Sequence, residues 1–100
     1  MINTDCMDPF LQIVQRIIKE QELIIGPLAW REAKRVQGLK FKDADPDSIA
    51  LSGKNPQTTI DNLVKQYGRL FGRASEEVCR DAVKDLLADL PQDKIPASLR

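Results

Sequence analysis

The sequence predicts a mainly α protein: a compact four-helix domain with a short β-hairpin between its second and third helices. Three observations predict it. Apolar residues recur at i, i+3, i+4 and i+7 near residues 10–18, 60–71 and 79–90, the spacing that gathers side chains on one helical face. Two of these segments are preceded by helix-start pairs, Asp8 with Pro9 and Asn55 with Pro56. Between them Leu39, Phe41, Ile49 and Leu51 alternate with other residues, a period of two rather than 3.6.

Residues 1–7 mix polar and apolar types without a period and are expected to form a flexible lead-in. Asp8 can accept orphan N–H groups of a first helical turn, and Pro9 is tolerated where no N–H is needed. Phe10, Ile13, Val14, Ile17 and Ile18 then form an apolar face, with Gln12, Gln15, Arg16, Lys19 and Glu20 mostly opposite. This helix should end near Ile24 or Ile25, because Pro27 disfavours an α conformation in the residue before it. The apolar stretch Leu23 to Trp30, interrupted by Gly26 and Pro27, reads as a buried corner.

Pro27 opens the expected second helix, running to about Gln37 and closed by Gly38. Ala29, Ala33 and Val36 make a narrow apolar strip flanked by Leu28 and Trp30, while Arg31, Lys34 and Arg35 occupy the opposite side. Trp30 at the edge of the strip either caps the core or stays partly open to a partner. The alternating segment that follows turns at Ala44, Asp45, Pro46 and Asp47, and an ordered loop competes with the hairpin. A lone hairpin is marginal in water, so Phe41, Ile49 and Leu51 would have to pack on the helices.

The third helix carries Ile60, Leu63, Val64, Tyr67 and Phe71 and stops at Gly72. Ser75 is the expected cap of the fourth, with Glu76 and Glu77 against the positive end of its dipole. Its stripe is Cys79, Ala82, Val83, Leu86, Leu87 and Leu90, and Pro91 ends it. The tail, residues 92–100, either folds back through Ile95, Pro96 and Leu99 or trails free.

One core is expected across residues 1–100, since 42% apolar and 30% charged residues are ordinary for one globular domain. Fifteen basic and fifteen acidic residues cancel, so no global field draws the chain to nucleic acid or an anionic membrane. Charge is nevertheless segregated: Arg31, Lys34, Arg35, Lys40 and Lys42 face only Glu32, and the segment Glu76 to Asp93 is acidic. Such patches either pair, within a molecule or between copies, or are solvated faces. No apolar run approaches the ~20 residues needed to span a bilayer, and no signal peptide is evident, which points to a cytoplasmic protein. Cys6 and Cys79 have unlike surroundings and do not suggest a disulfide.

Chemistry is sparse. Without histidine the Ser-His, Cys-His and zinc-His arrangements are impossible. Cys79 sits in an apolar stripe, where a thiol is inert. Asp43, Asp45 and Asp47 have the spacing of the first three ligands of an EF-hand loop. Ser48 stands where that loop needs Gly, though, and Lys54 where it needs a bidentate Glu. No phosphate-binding glycine loop is present, the acids of the fourth helix read as solvated, and no cofactor or small-molecule substrate is implied. An enzyme is not expected.

Two binding roles remain. The first is a protein-interaction or oligomerisation module that uses the edge around Trp30, the basic side Arg31, Lys34 and Arg35, or the acidic side Glu77, Asp81 and Asp85. The second is a nucleic-acid-binding regulator that sets the basic face of the second helix against phosphates. The corner Ile25, Gly26, Pro27, Leu28 and Ala29, with Tyr67, Leu70, Phe71, Gly72, Arg73, Ala74, Ser75 and the helix after them, resembles a small helical domain of uncharacterised bacterial, notably cyanobacterial, proteins. That resemblance covers residues 23–90, brings no catalytic residue, and implies a regulatory or scaffolding role.

Overall fold

A computed structural model describes residues 9–41, 49–51 and 55–99. Within them the chain forms α1 (Pro9–Ile25), α2 (Leu28–Ala33), β1 (Leu39–Phe41), β2 (Ile49–Leu51), α3 (Pro56–Phe71), α4 (Arg73–Ala82) and α5 (Lys84–Leu87). Two short 3-10 turns follow, Gln92–Lys94 and Ala97–Leu99. The protein is mainly helical, with one small antiparallel hairpin.

In α1 the buried residues Ile13, Val14, Ile17, Ile18 and Gln21 share one face, as the period requires. α2 is shorter than expected. Instead of continuing to Gln37, the chain tightens into i to i−3 bonds, with Arg35 N donating to Glu32 O and Val36 N to Ala33 O. Tightening tucks Val36 into the core, and Gly38, expected only to close the helix, passes directly against α3. Its φ is +97°, and a Cβ there would lie 2.5 Å from Thr59 Oγ1. β1 and β2 then pair with Leu39 opposite Leu51 and Phe41 opposite Ile49. The ring of Phe41 meets Trp30 edge-on at 5.9 Å, which fixes the hairpin to α2.

Asn55 caps α3 by accepting from Gln57 N and Thr58 N, with Pro56 in the first turn. Two expectations about the next helix fail. Ser75 is not its cap: Gly72, at φ 90° and ψ −177°, reverses the chain so abruptly that helix resumes at Arg73, and Ser75 is buried inside α4. The single fourth helix is also two segments. Val83, at φ −115° and ψ 10°, breaks it, giving five α-helical segments among the described residues in place of four. Arg16 Nη1 donates to the Ala82 carbonyl at 3.0 Å, so this end of α4 is satisfied by a side chain from α1.

Arg16 pairs with Ala82 at the end of α4 and Asp85 in α5, whereas Gln21, later in α1, pairs with the earlier residues Ser75 and Cys79, so α1 and α4 run antiparallel. α2 and α4 each pack on both α1 and α3. The core between them contains Ile13, Ile17, Ile18, Ile60, Leu63, Val64 and Tyr67, each at most 1% exposed. Burying one such side chain contributes about 1.5–3 kcal/mol. The tail folds back: Ser98 donates from N and Oγ to Asp61 Oδ1, and Leu99 is buried against the core.

Candidate functional site

Trp30, expected either in the core or open to a partner, is 5% exposed. Its contact is with Phe41, so as a partner-binding residue it is corrected to a core residue. Arg31, Lys34 and Arg35 are exposed. Arg35 Nε lies 3.7 Å from Glu32 Oε1, and Gln66 Nε2 donates to the same oxygen at 2.7 Å. Arg69 donates in turn to Gln66 Oε1, which extends a polar chain from α2 onto α3. A groove of about 590 Å³ runs beside this chain, bordered by Arg35, Lys65, Arg69 and Glu76. Lys42 and the aspartates 43, 45 and 47 lie outside the described residues, as does Cys6.

The acids of α4 and α5 are expected to be solvated or to pair with basic groups. Asp81 and Asp85 are exposed, and Asp85 pairs with Arg16 of α1 at 3.1 Å. Asp81 and Asp85 join Arg16, Glu20, Ile24, Val78 and Ala82 around a second groove, of about 450 Å³, between α1 and α4. Glu77 is exposed and does not line it.

The corner Leu23 to Trp30 is buried only at its far side. Leu23 and Ile24 are 80% and 60% exposed, contrary to the buried-corner reading. Helical phase explains Leu23: two residues beyond buried Gln21, it is turned about 200° around the helix and points outward. Ile24 lies on the flank of α1 that carries Arg16 and Glu20 and borders the open groove opposite Val78, which leaves it uncovered. Leu70, 49% exposed near the end of α3, lies at the same end of the molecule.

Inside, the polar residue that sequence reasoning passed over is Gln21, wholly buried. Its Nε2 donates to the Ser75 carbonyl at 3.0 Å and to Cys79 Sγ at 3.4 Å, while its Oε1 has no partner among the described residues. Its position three and four residues after Ile18 and Ile17 was the available signal, since it continues their stripe. Tyr67 Oη donates to the Ala29 carbonyl at 2.7 Å. Burial, then the neighbouring Cys79 and Glu32, pushes the Tyr67 hydroxyl well above its ordinary range. Burial likewise pushes the Cys79 thiol up to about 11, with Glu76 adding to the rise and the Gln21 bond and Arg80 opposing it. Neither group has nucleophilic character at neutral pH.

Among the described residues no set of three His, Cys, Asp or Glu side chains could hold a metal ion, and no helix is long and apolar enough to cross a membrane. The fold and grooves thus define a small helical domain with two charged surface grooves of unlike sign and an apolar end. No protein-family model, curated protein or solved structure matches the chain.

Proposed function

We propose that this chain is a non-catalytic protein-interaction or oligomerisation module, acting in the cytoplasm in a regulatory or scaffolding role. The observation that carries this reading is the exposure of Leu23 and Ile24, 80% and 60%, at the end of α1. Scattered exposed aliphatic side chains are ordinary; these two are consecutive, and Ile24 also contributes to the apolar lining of a groove with Val78 and Ala82. Leu70 adds a third at the same end.

Leu23→Ser with Ile24→Ser should release a partner captured from the native host, identified by mass spectrometry, or abolish concentration-dependent mass in sedimentation. A chain that captures and assembles identically with and without both changes refutes the apolar end as the contact. The nucleic-acid reading is supported by the exposure of Arg31, Lys34 and Arg35, the last of which borders a groove with Lys65 and Arg69. Glu32 and Glu76 dilute that positive field. Binding to duplex DNA that falls steeply with salt and is lost on R31A/K34A/R35A would favour it over the first reading.

A further inference from the structure

The groove between α1 and α4 sharpens the interaction reading and rests on it. We propose that it docks a cationic amphipathic helix from a partner protein. Ile24, Val78 and Ala82 supply apolar surface, while Glu20, Asp81 and Asp85 supply negative charge around it. Arg16, Glu20 and Ile24 form an i, i+4, i+8 ridge of α1, and α4 runs antiparallel beside it. A trough between two such helices has the shape in which a third helix seats its ridge.

Charge selects the occupant. Among the described residues Arg16 is the one cation lining the trough, and its Nη1 is already engaged by Asp85 Oδ1 at 3.1 Å and by the Ala82 carbonyl at 3.0 Å. Glu20 and Asp81 have no ion pair among the described residues, so the unbalanced charge is negative. A second copy of the same face would set these acids against one another. The chain's own basic side fits in sign but not in shape. Ala29, Trp30, Ala33 and Val36 are at most 6% exposed, which leaves only half-buried Leu28 to meet Ile24 and Val78. The occupant must bring cations and an apolar stripe together, at the i, i+3, i+4, i+7 spacing by which a helix reads a groove.

The test titrates the full chain into a fluorescein-labelled Leu/Lys peptide of about 18 residues, some five helical turns, with one leucine face and one lysine face. A permuted peptide of identical composition but no apolar face is one control, and a Leu/Glu peptide of the original pattern is the other. At about 0.15 M salt the amphipathic Leu/Lys peptide should bind roughly tenfold or more tighter than either control, with amide NMR shifts confined to α1 and α4. Glu20→Lys with Asp81→Lys should cost roughly tenfold or more in affinity, and Ile24→Ser several-fold, with thermal melts little changed, because Ile24 and Asp81 are exposed and Glu20 is only half-buried.

Equal binding of the permuted peptide, preference for the Leu/Glu peptide, or shifts on the α2 side overturn the proposal. Self-association that is lost on Asp81→Lys would make the occupant a second copy and overturn it too. If Leu23→Ser with Ile24→Ser releases a natural partner but the double charge reversal does not, the interaction module survives and the cationic helix does not.

Discussion

Gln21 and Ile24 stand three residues apart on α1, and each is placed against its polarity. The amide is wholly buried and the aliphatic chain is 60% exposed. Gln21 faces α4 where that helix begins, and there it joins the Ser75 carbonyl to the Cys79 sulfur. One turn further on, Ile24 has rotated to the flank that borders the open groove with Val78, and it has lost its cover. The contrast separates two tasks within one helix. The first of these turns holds the bundle together, and the next presents surface, so substitutions in the two should have different readouts.

The largest effect is expected inside. Gln21→Ala removes two hydrogen bonds and leaves a void beside Cys79, for a cost of about 3 kcal/mol in urea denaturation. Gln21→Met fills most of that volume and deletes the unpartnered Oε1, so its cost should be about 1 kcal/mol or less. An alanine variant as stable as the parent would mean that the inner turn pins nothing, and the contrast with Ile24 would collapse.

Alkaline pH probes the same centre. The Cys79 thiol is pushed up to about 11 from an ordinary 9. Below pH 9 the thiol is neutral in both folded and unfolded chains and does not make stability pH-dependent. Between about 9 and 11 only the unfolded chain gives up its proton, so stability falls as pH rises, by on the order of 2 kcal/mol in total. Cys79→Ala should flatten the early part of that decline. Above pH 10 the raised Tyr67 hydroxyl contributes a fall in the same direction, which the variant retains except for the part that Cys79 itself adds to the rise. Identical curves for parent and Cys79→Ala between pH 9 and 10 would show that the thiol is not desolvated.

Arg16 links the two regions, since it closes the end of α4 at Ala82 and also borders the outer groove. Arg16→Met keeps most of the aliphatic stem and loses the bonds to Ala82 and Asp85, for about 1 kcal/mol. Amide exchange at Val83 to Leu87 should accelerate more than exchange within α3. Uniform acceleration would show that Arg16 does not hold the break.

Where the cause of an element is local, the sequence is readable. Asn55 with Pro56 marks the start of α3 because the capping atoms lie two and three residues from the N–H groups they satisfy. The strands fall on the alternating residues Leu39, Phe41, Ile49 and Leu51. The break at Val83 was hidden, because the Arg16 side chain that satisfies it is 66 residues away. Ser75 looked like a cap because its chemistry is right; the backbone at Gly72 decided otherwise. Leu23 and Ile24 depart from the buried-corner expectation because helical phase, not the apolar run, sets which side chains face the core, whereas Ala29 and Trp30 of the same run are buried. Of the groove, Asp81 and Asp85 could be singled out as acids. Arg16, Glu20 and Val78 join them only through the antiparallel packing of α1 on α4.

The smallest expected effect on stability is at Leu23 and Ile24, and for that reason it is the most informative. Side chains 80% and 60% exposed have already forgone most of their burial energy. Leu23→Ser and Ile24→Ser should therefore each shift the denaturation midpoint by no more than corresponds to about 0.5 kcal/mol. Serine has a lower helix propensity than leucine, which accounts for a few tenths of a kcal/mol near a helix end. If these side chains serve only as surface, nothing else should change. If they form a contact, partner binding or self-association should fall sharply while the melt stays in place, a separation that no change at Gln21 can produce. A loss of stability above about 1 kcal/mol would instead place Leu23 or Ile24 within the fold's own packing and move the boundary between the two turns of α1 outward.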